Sequence, residues 1–339
     1  MDKYEKAILA ERMDMYGVVY SLCYSPCGKL LAAGDNFGRI FIFQLESALN
    51  STVLAKEKEI IKRIIQVHSG PIYALTSTST YLVCGILDRI VGYKWSEILD
   101  KDIHEVWKIY IPSSKQYKSA QVNSLVWNEE ENILYCGCGD GRIYGYDLKS
   151  GHNKCSMVGH EDSIHSIVLD PQSKACISSS EDGSVRFWDN RKPSQIAIIE
   201  PYKHQQLSHH GGGKWISAMA TDADGNWMAC GGATGLSIWH LQSRTLTSSC
   251  NDITACVRDV VFYDGNFITV GDNHHVTHTT INGEVTATIP TSSSPNFAIQ
   301  INENLNSKPV LCTAGNSIMI DIFINFFYKT TSFQCTCSY

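Results

Sequence analysis

The chain has 339 residues, 43% hydrophobic and 18% charged, a globular composition that excludes a disordered chain. Its formal net charge is −6, with no basic excess or stripe of the kind that neutralises phosphates, so any nucleic-acid contact is expected only through partners. The densest basic stretch, Lys56 to Arg63, is interleaved with Glu57 and Glu59.

Residues Met1 to Met15 differ in pattern from the rest of the chain. Tyr4, Ala7, Ile8 and Glu11 recur at helical spacing among charges, which predicts a short amphipathic helix. From Tyr16 onward one unit recurs at intervals of roughly 40 to 50 residues, a period that signals a repeat architecture. The first copy runs from Val19 to Leu45, with turns at Ser25-Pro26-Cys27-Gly28 and Asp35-Asn36-Phe37-Gly38. A charged insertion from Glu46 to Lys62 precedes an outer strand near Ile64-Ile65-Gln66. The second copy extends from His68 to Trp95, followed by an insertion, Ser96 to His104, and an outer strand over Glu105 to Ile111. The third covers Val122 to Leu148, with a Gly139-Asp140-Gly141 hairpin and Tyr146-Asp147 near its end.

The fourth copy, Gly159 to Arg191, is the fullest. Ile164 to Leu169 and Ala175 to Ser179 read as strands joined by Asp170-Pro171-Gln172, and Glu181-Asp182-Gly183 is a tight hairpin into a third strand, Ser184 to Trp188. Glu200 to Lys214 is a polar connection to the next copy. The fifth copy is Trp215 to Leu241, the sixth Val257 to Ile281 and the seventh Phe297 to Phe323, with Tyr328 to Gln334 available as the last outer strand. Gly159-His160 at the start and Trp188-Asp189 at the end resemble a WD40 repeat. The resemblance implies a buried hydrogen-bonded set of His160, Ser178, Asp182 and Trp188. So many buried polar atoms are tolerable only as a mutually satisfied set. Seven copies predict an all-β, seven-bladed WD40 β-propeller over residues 16–335, with residues 1–15 as a short N-terminal helical segment. Each copy has its own candidate outer strand, so the ring is expected to close by end-to-end packing rather than by a strand borrowed from the N-terminus.

Candidate chemistry is sparse. His209-His210-Gly211-Gly212-Gly213-Lys214 lacks the spacing of a phosphate-binding loop, and Trp215 stands where Ser or Thr would meet magnesium. His204, His209 and His210 have no fourth metal ligand at convincing spacing. Cys136 and Cys138 share one face of a strand and read as core. The Cys335-x-Cys337 pair has no partner pair for zinc. Thirteen cysteines, an odd number lying mostly in apolar runs, read as small packed hydrophobes in a reducing compartment. No signal-peptide h-region or long apolar span is visible, so no membrane is expected. No G-x-S-x-G elbow or catalytic constellation declares itself. The expectation is a protein that is not an enzyme and carries no cofactor or metal.

Two resemblances bear on function. Trp188-Asp189-Asn190-Arg191 resembles the Trp-Asp-x-Arg motif of WD40 substrate receptors on cullin-RING ubiquitin ligases; Arg also often follows Trp-Asp as the chain leaves a third strand. Far more of the chain, including SPCGKLLAAGDNFGRIFIFQLESAL, HSGPIYAL, GHEDSIHSI, SEDGSVRFWD, EPYKH followed by GKWI, LSIWHL and TAGNS, closely resembles the THO complex subunit 6 family. That resemblance runs from about Tyr16 to Phe323. It implies a nuclear, non-enzymatic scaffold of the THO part of the TREX assembly, coupling transcription and mRNA processing to mRNA export. Its expected partners are the coiled-coil THO subunits 5 and 7; self-association of the ring is left open. The segments extra to the repeat, Met1 to Met15 and Glu200 to Trp215, are the candidate contact regions, with Tyr202, His204, His209, Lys214 and Trp215 as candidate contact residues.

Overall fold

The computed structural model describes residues 8, 11–45, 61–112, 120–207, 213–304 and 309–336. These form seven four-stranded antiparallel sheets, each built from four consecutive strands. The innermost strands are Val19–Tyr24, Ala74–Ser77, Val122–Asn128, Ile164–Leu169, Ile216–Thr221, Val257–Tyr263 and Asn296–Asn302. They pack on one another in sequence and then back to the first, closing a seven-bladed ring. The blades, numbered 1 to 7 in chain order, span residues 19–66, 74–110, 122–158, 164–199, 216–250, 257–290 and 296–334.

Burial is a consequence of this geometry. Second strands, such as Leu30–Asp35 and Val310–Gly315, are buried on both faces because each lies between two blades. Outer strands keep one wet face, as in the alternating burial of Asn153–Val158. The core is accordingly not one mass but seven apolar wedges, one between each pair of neighbouring blades. Blades converge toward the axis, and small residues fill the narrow end. A Cβ on Gly34 would approach Ile72 Cγ2 to 2.7 Å, on Gly85 Val122 Cγ1 to 2.6 Å, on Gly137 Ile164 Cγ2 to 2.7 Å, and on Gly231 Val257 Cγ1 to 2.5 Å. Four blades thus use glycine at one position for one reason: the next blade's inner strand lies against it. Cys84, Cys136, Cys138, Cys176, Cys230 and Cys312 are buried free thiols in the same wedges.

Closure is by packing. All four strands of blade 1 belong to one sheet and all four of blade 7 to another, so no strand is shared across the seam. The seam wedge is the largest of the seven, with fifteen buried residues, and includes Phe43 stacked on Phe333 at 5.4 Å. Polar ties cross it as well: Asn302 Nδ2 donates to Gly28 O at 2.7 Å and Tyr24 Oη to Cys312 Sγ at 2.5 Å. The last outer strand, expected over Tyr328 to Gln334, is Thr331–Gln334. Cys335 is buried in the seam wedge, while Cys337 lies outside the described residues.

Residues 11–15 are helical and end against blade 1. Tyr4 and Ala7 of the expected amphipathic face lie outside the described residues. Asp14 pairs with Arg39 Nη1 at 3.3 Å, and Arg39 Nε pairs with Asp35 at 2.6 Å. The Arg39 side chain is 3% exposed and its guanidinium also lies 4.9 Å from the Phe41 ring centroid. Among the described residues, short 3-10 turns lie at Trp95–Glu97 in one connection between strands and at Pro201–Lys203 and Gln205–Leu207 in another. The insertion over residues 46–60 is outside the described residues.

Truncating one partner of a buried ion pair leaves a charge without compensation. Asp35→Ala leaves the buried Arg39 guanidinium only the partly exposed Asp14 as an acidic partner and should destabilise the ring by about 3 kcal/mol, read as a lowered urea midpoint. Asp14→Ala should shift the midpoint much less, because the Asp14 side chain is 20% exposed and water can replace it.

Candidate functional site

In blade 4 the structure brings His160, Ser178, Asp182 and Trp188 into one hydrogen-bonded chain. Trp188 Nε1 donates to Ser178 Oγ at 2.8 Å. Ser178 Oγ lies 2.8 Å from His160 Nε2, and His160 Nδ1 lies 2.8 Å from Asp182 Oδ2. One tautomer satisfies every atom: indole N–H to hydroxyl, hydroxyl O–H to Nε2, and Nδ1–H to carboxylate. Ser184 Oγ and its N–H bond the other carboxylate oxygen, at 2.6 and 2.8 Å, and Glu161 N donates to Oδ2 at 3.0 Å. Burial lowers the His160 imidazole, which the Asp182 charge only partly offsets. Burial alone would raise Asp182, but the bonds from His160 and Ser184 outweigh it and hold the carboxyl well below its ordinary range.

Other blades tie their aromatic residues differently, with no serine at the second-strand position of Ser178. Trp95 Nε1 donates to Ser77 Oγ in blade 2, Trp239 Nε1 to Ser237 Oγ in blade 5, and Tyr144 Oη to Asp140 in blade 3. The blade 4 set ties the hairpin Glu181-Asp182-Gly183 to the blade's entry at His160 and Glu161. All its polar groups face one another.

Among the contact candidates, the structure gathers Tyr202 and Lys214 beside the blade 4 hairpin. Lys203 Nζ and Lys214 Nζ each lie 5.8 Å from the Tyr202 ring centroid. Gly183 is crowded by Lys214 O and Tyr202 Cδ1, so the loop sits directly on the turn. Tyr202 Oη donates to Glu200 Oε1 at 3.0 Å. Buried Pro201 and Leu207 anchor this loop, Leu207 within the wedge between blades 4 and 5. His204 is turned elsewhere, edge-on to Trp239 at 5.0 Å. Trp215 is half-buried at the start of blade 5. His209, with His210, Gly211 and Gly212, lies outside the described residues. The end of the N-terminal helix also shows apolar surface, with Met15 77% and Tyr16 68% exposed. In the Trp188–Arg191 motif Trp188 is buried, while the Arg191 side chain is 89% exposed and lies 3.5 Å from Asp189.

No local motif announces the arrangement of the inner strands. Six of the seven carry a bulge at their second residue. Bulges re-aim side chains, and here the displaced residues Tyr20, Asn123, His165, Ser217, Arg258 and Phe297, joined by Tyr73, line a central channel of about 280 Å³. Tyr20 stands 4.9 Å from Tyr73 and 5.2 Å from Phe297, ring centroid to centroid. Arg258 forks onto Asp272 at 2.7 and 2.9 Å, and His165 Nε2 meets Glu181 at 2.7 Å. Asp259 lies in the channel wall, where burial pushes its carboxyl up to about 7 against two accepted backbone N–H bonds. Aligning the copies and reading the second residue of each inner strand would have found these lining residues except Tyr73, which precedes its strand.

Among the described residues no His, Cys, Asp or Glu cluster could hold a metal ion, and no helix is long and apolar enough to cross a membrane. What the arrangement offers is a rigid surface: a channel mouth, a loop seated on a blade hairpin and a latched terminal helix.

The seven sheets and the blade 4 hydrogen-bonded set define a WD40 β-propeller, and the WD domain, G-beta repeat family matches residues 112–147 and 151–189. The chain is 35% identical over 324 residues to THO complex subunit 6 homolog of Mus musculus, covering 95% of this chain and 93% of the mouse protein. THO complex subunit 6 of Drosophila melanogaster is 31% identical over 81% of this chain and 77% of its own, and that of Arabidopsis thaliana 22% identical over 96% and 94%. The chain belongs to the THO complex subunit 6 family.

Ser178→Ala leaves the Trp188 indole N–H and one His160 nitrogen buried without partners, at a cost of about 3 kcal/mol in denaturant unfolding. The folded imidazole takes a proton less readily than the unfolded one, whose pKa is about 6.5. Stability should therefore fall as pH drops below about 6.5 and level off below the folded value. The Asp182 contribution is fully present above about 4 and lost at lower pH, as the carboxylate itself is protonated. His160→Gln should flatten the dependence of melting temperature on pH between about 7 and about 5. An unchanged slope would place that dependence in other groups.

Proposed function

We propose that this protein is a nuclear scaffold subunit of the THO complex, binding other subunits so that transcription and mRNA processing are coupled to mRNA export. The observation that supports this best is the extent of the relationship: it covers 95% of the chain, hence the whole ring and not one repeat. The subunits it would hold are the coiled-coil subunits 5 and 7, with RNA contacted only through them. The net charge of −6 fits that division of labour.

The mechanism is presentation. A closed ring holds its loops rigidly, so little ordering entropy is lost when a helical partner docks. Contact regions fitting that role are the exposed end of the N-terminal helix, at Met15 and Tyr16, and the loop around Tyr202, Lys214 and Trp215. Tyr and Trp are among the side chains that dominate binding energy at interfaces. His204, facing Trp239, and His209 belong to the same loop.

The test is affinity purification from nuclear extract with and without RNase, then binding of the purified ring to purified subunits 5 and 7. Recovery of both under RNase is expected, and a Tyr202→Ala, Lys214→Glu double variant should bind them at least about tenfold more weakly. A cullin-RING adaptor recovered in their place would transfer the reading to Trp188–Arg191. Unaltered binding by the double variant would remove the loop from the interface.

A further inference from the structure

We propose that the mouth of the central channel binds a single arginine side chain presented by a partner protein. The site lies on the inner wall of the ring, apart from the contact regions named above.

Three adjacent inner strands, of blades 7, 1 and 2, supply a continuous aromatic wall of Phe297, Tyr20 and Tyr73. Beside Phe297 lies Asp259. Its Oδ2 accepts the Ile299 N–H at 2.9 Å and its Oδ1 the Val260 N–H at 2.9 Å. The first of these ties blade 6 to blade 7. The equivalent tie from blade 3 to blade 4 is made by a neutral hydroxyl, Ser124 Oγ accepting the Ile167 N–H at 3.0 Å. A hydroxyl is therefore enough for the structural task, and the carboxyl group of Asp259, which burial leaves only partly ionised near neutral pH, is surplus to it and ionises fully only beside a cation. Each carboxylate oxygen has room for a further hydrogen bond.

The cations of this chain that line the channel are committed elsewhere, Arg258 to Asp272 and His165 to Glu181. Asp272 and Glu181 are each spent on one of these cations, so Asp259 is the carboxylate of the channel lining that pairs with no cation among the described residues. This balance attracts a cation and repels a phosphate. A carboxylate in a channel this narrow is poorly hydrated, so a paired cation gains more there than on an open surface. Aromatic faces on one side and a two-oxygen acceptor on the other suit a planar guanidinium better than an ammonium, because it stacks and forks at once.

The experiment uses the full chain and three acetylated, amidated tripeptides, Ala-Arg-Ala, Ala-Lys-Ala and Ala-Gln-Ala, with binding read by saturation-transfer NMR titration. Saturable binding of the arginine peptide is expected, weaker binding of the lysine peptide, and none of the glutamine peptide. Free arginine in parallel separates a side-chain site from one that reads a peptide backbone, and equal affinity for both is expected. Asp259→Ser, which keeps a hydroxyl for the blade 6–7 tie, should retain the melting temperature and weaken arginine binding by at least about tenfold. Tyr73→Leu probes the aromatic wall independently and should also weaken it. Absence of saturable binding at millimolar peptide, a glutamine peptide that binds as well as the arginine one, or a Tyr73→Leu variant that binds as wild type would overturn the proposal.

Discussion

Everything in this molecule depends on each blade burying both of its faces against neighbours. A four-stranded sheet on its own has two apolar faces and nothing to cover them. In the ring, every face becomes half of a wedge, and the last wedge forms only if blade 7 reaches blade 1. That requirement explains why the seam is the largest apolar cluster and not the weakest. It also explains the composition of the second strands. Near the axis the sheets approach so closely that Gly34, Gly85, Gly137 and Gly231 admit no side chain, while cysteine, alanine and serine fill the next layer outward.

Polar groups inside such wedges have to be accounted for individually. Blade 4 does so with a chain of donors and acceptors in which each atom has at least one partner and one tautomer of His160 sets the order of donation. The same logic, in simpler form, runs around the channel, where Ser21, Asn123, Ser124 and Asp259 bond the backbone of the next inner strand. These ties hold the inner strands in register with one another. They also make the channel wall rigid, which is the property that a binding mouth or a scaffold surface requires. Asp259 is the exception in charge, and the geometry of Ser124 shows that the exception is not needed for the fold.

Electrostatics at the seam obey a different rule. Arg39 is buried with Asp35 at one side, Asp14 at the other and Phe41 across its face. The N-terminal helix is thereby fixed to blade 1 without contributing a strand. The ring closes by apolar packing, and the terminal segment is a latch upon it.

The repeat period, the hairpin residues and the His160, Ser178, Asp182, Trp188 spacing determined the fold class, because turn chemistry and strand alternation are local. The position of the last outer strand was legible to within a few residues for the same reason. The bulges were not legible as such. A bulge arises where an inner strand adjusts to its neighbour's twist, and only the assembled ring shows that Tyr20, Tyr73 and Phe297 meet across the closure or that Asp259 is enclosed. Nor could spacing alone reveal that Tyr202 and Lys214 settle on the Gly183 turn, since residues between them carry no periodic signal. Local pattern named the blades; the contacts between neighbouring blades in the closed ring decided which side chains line the channel.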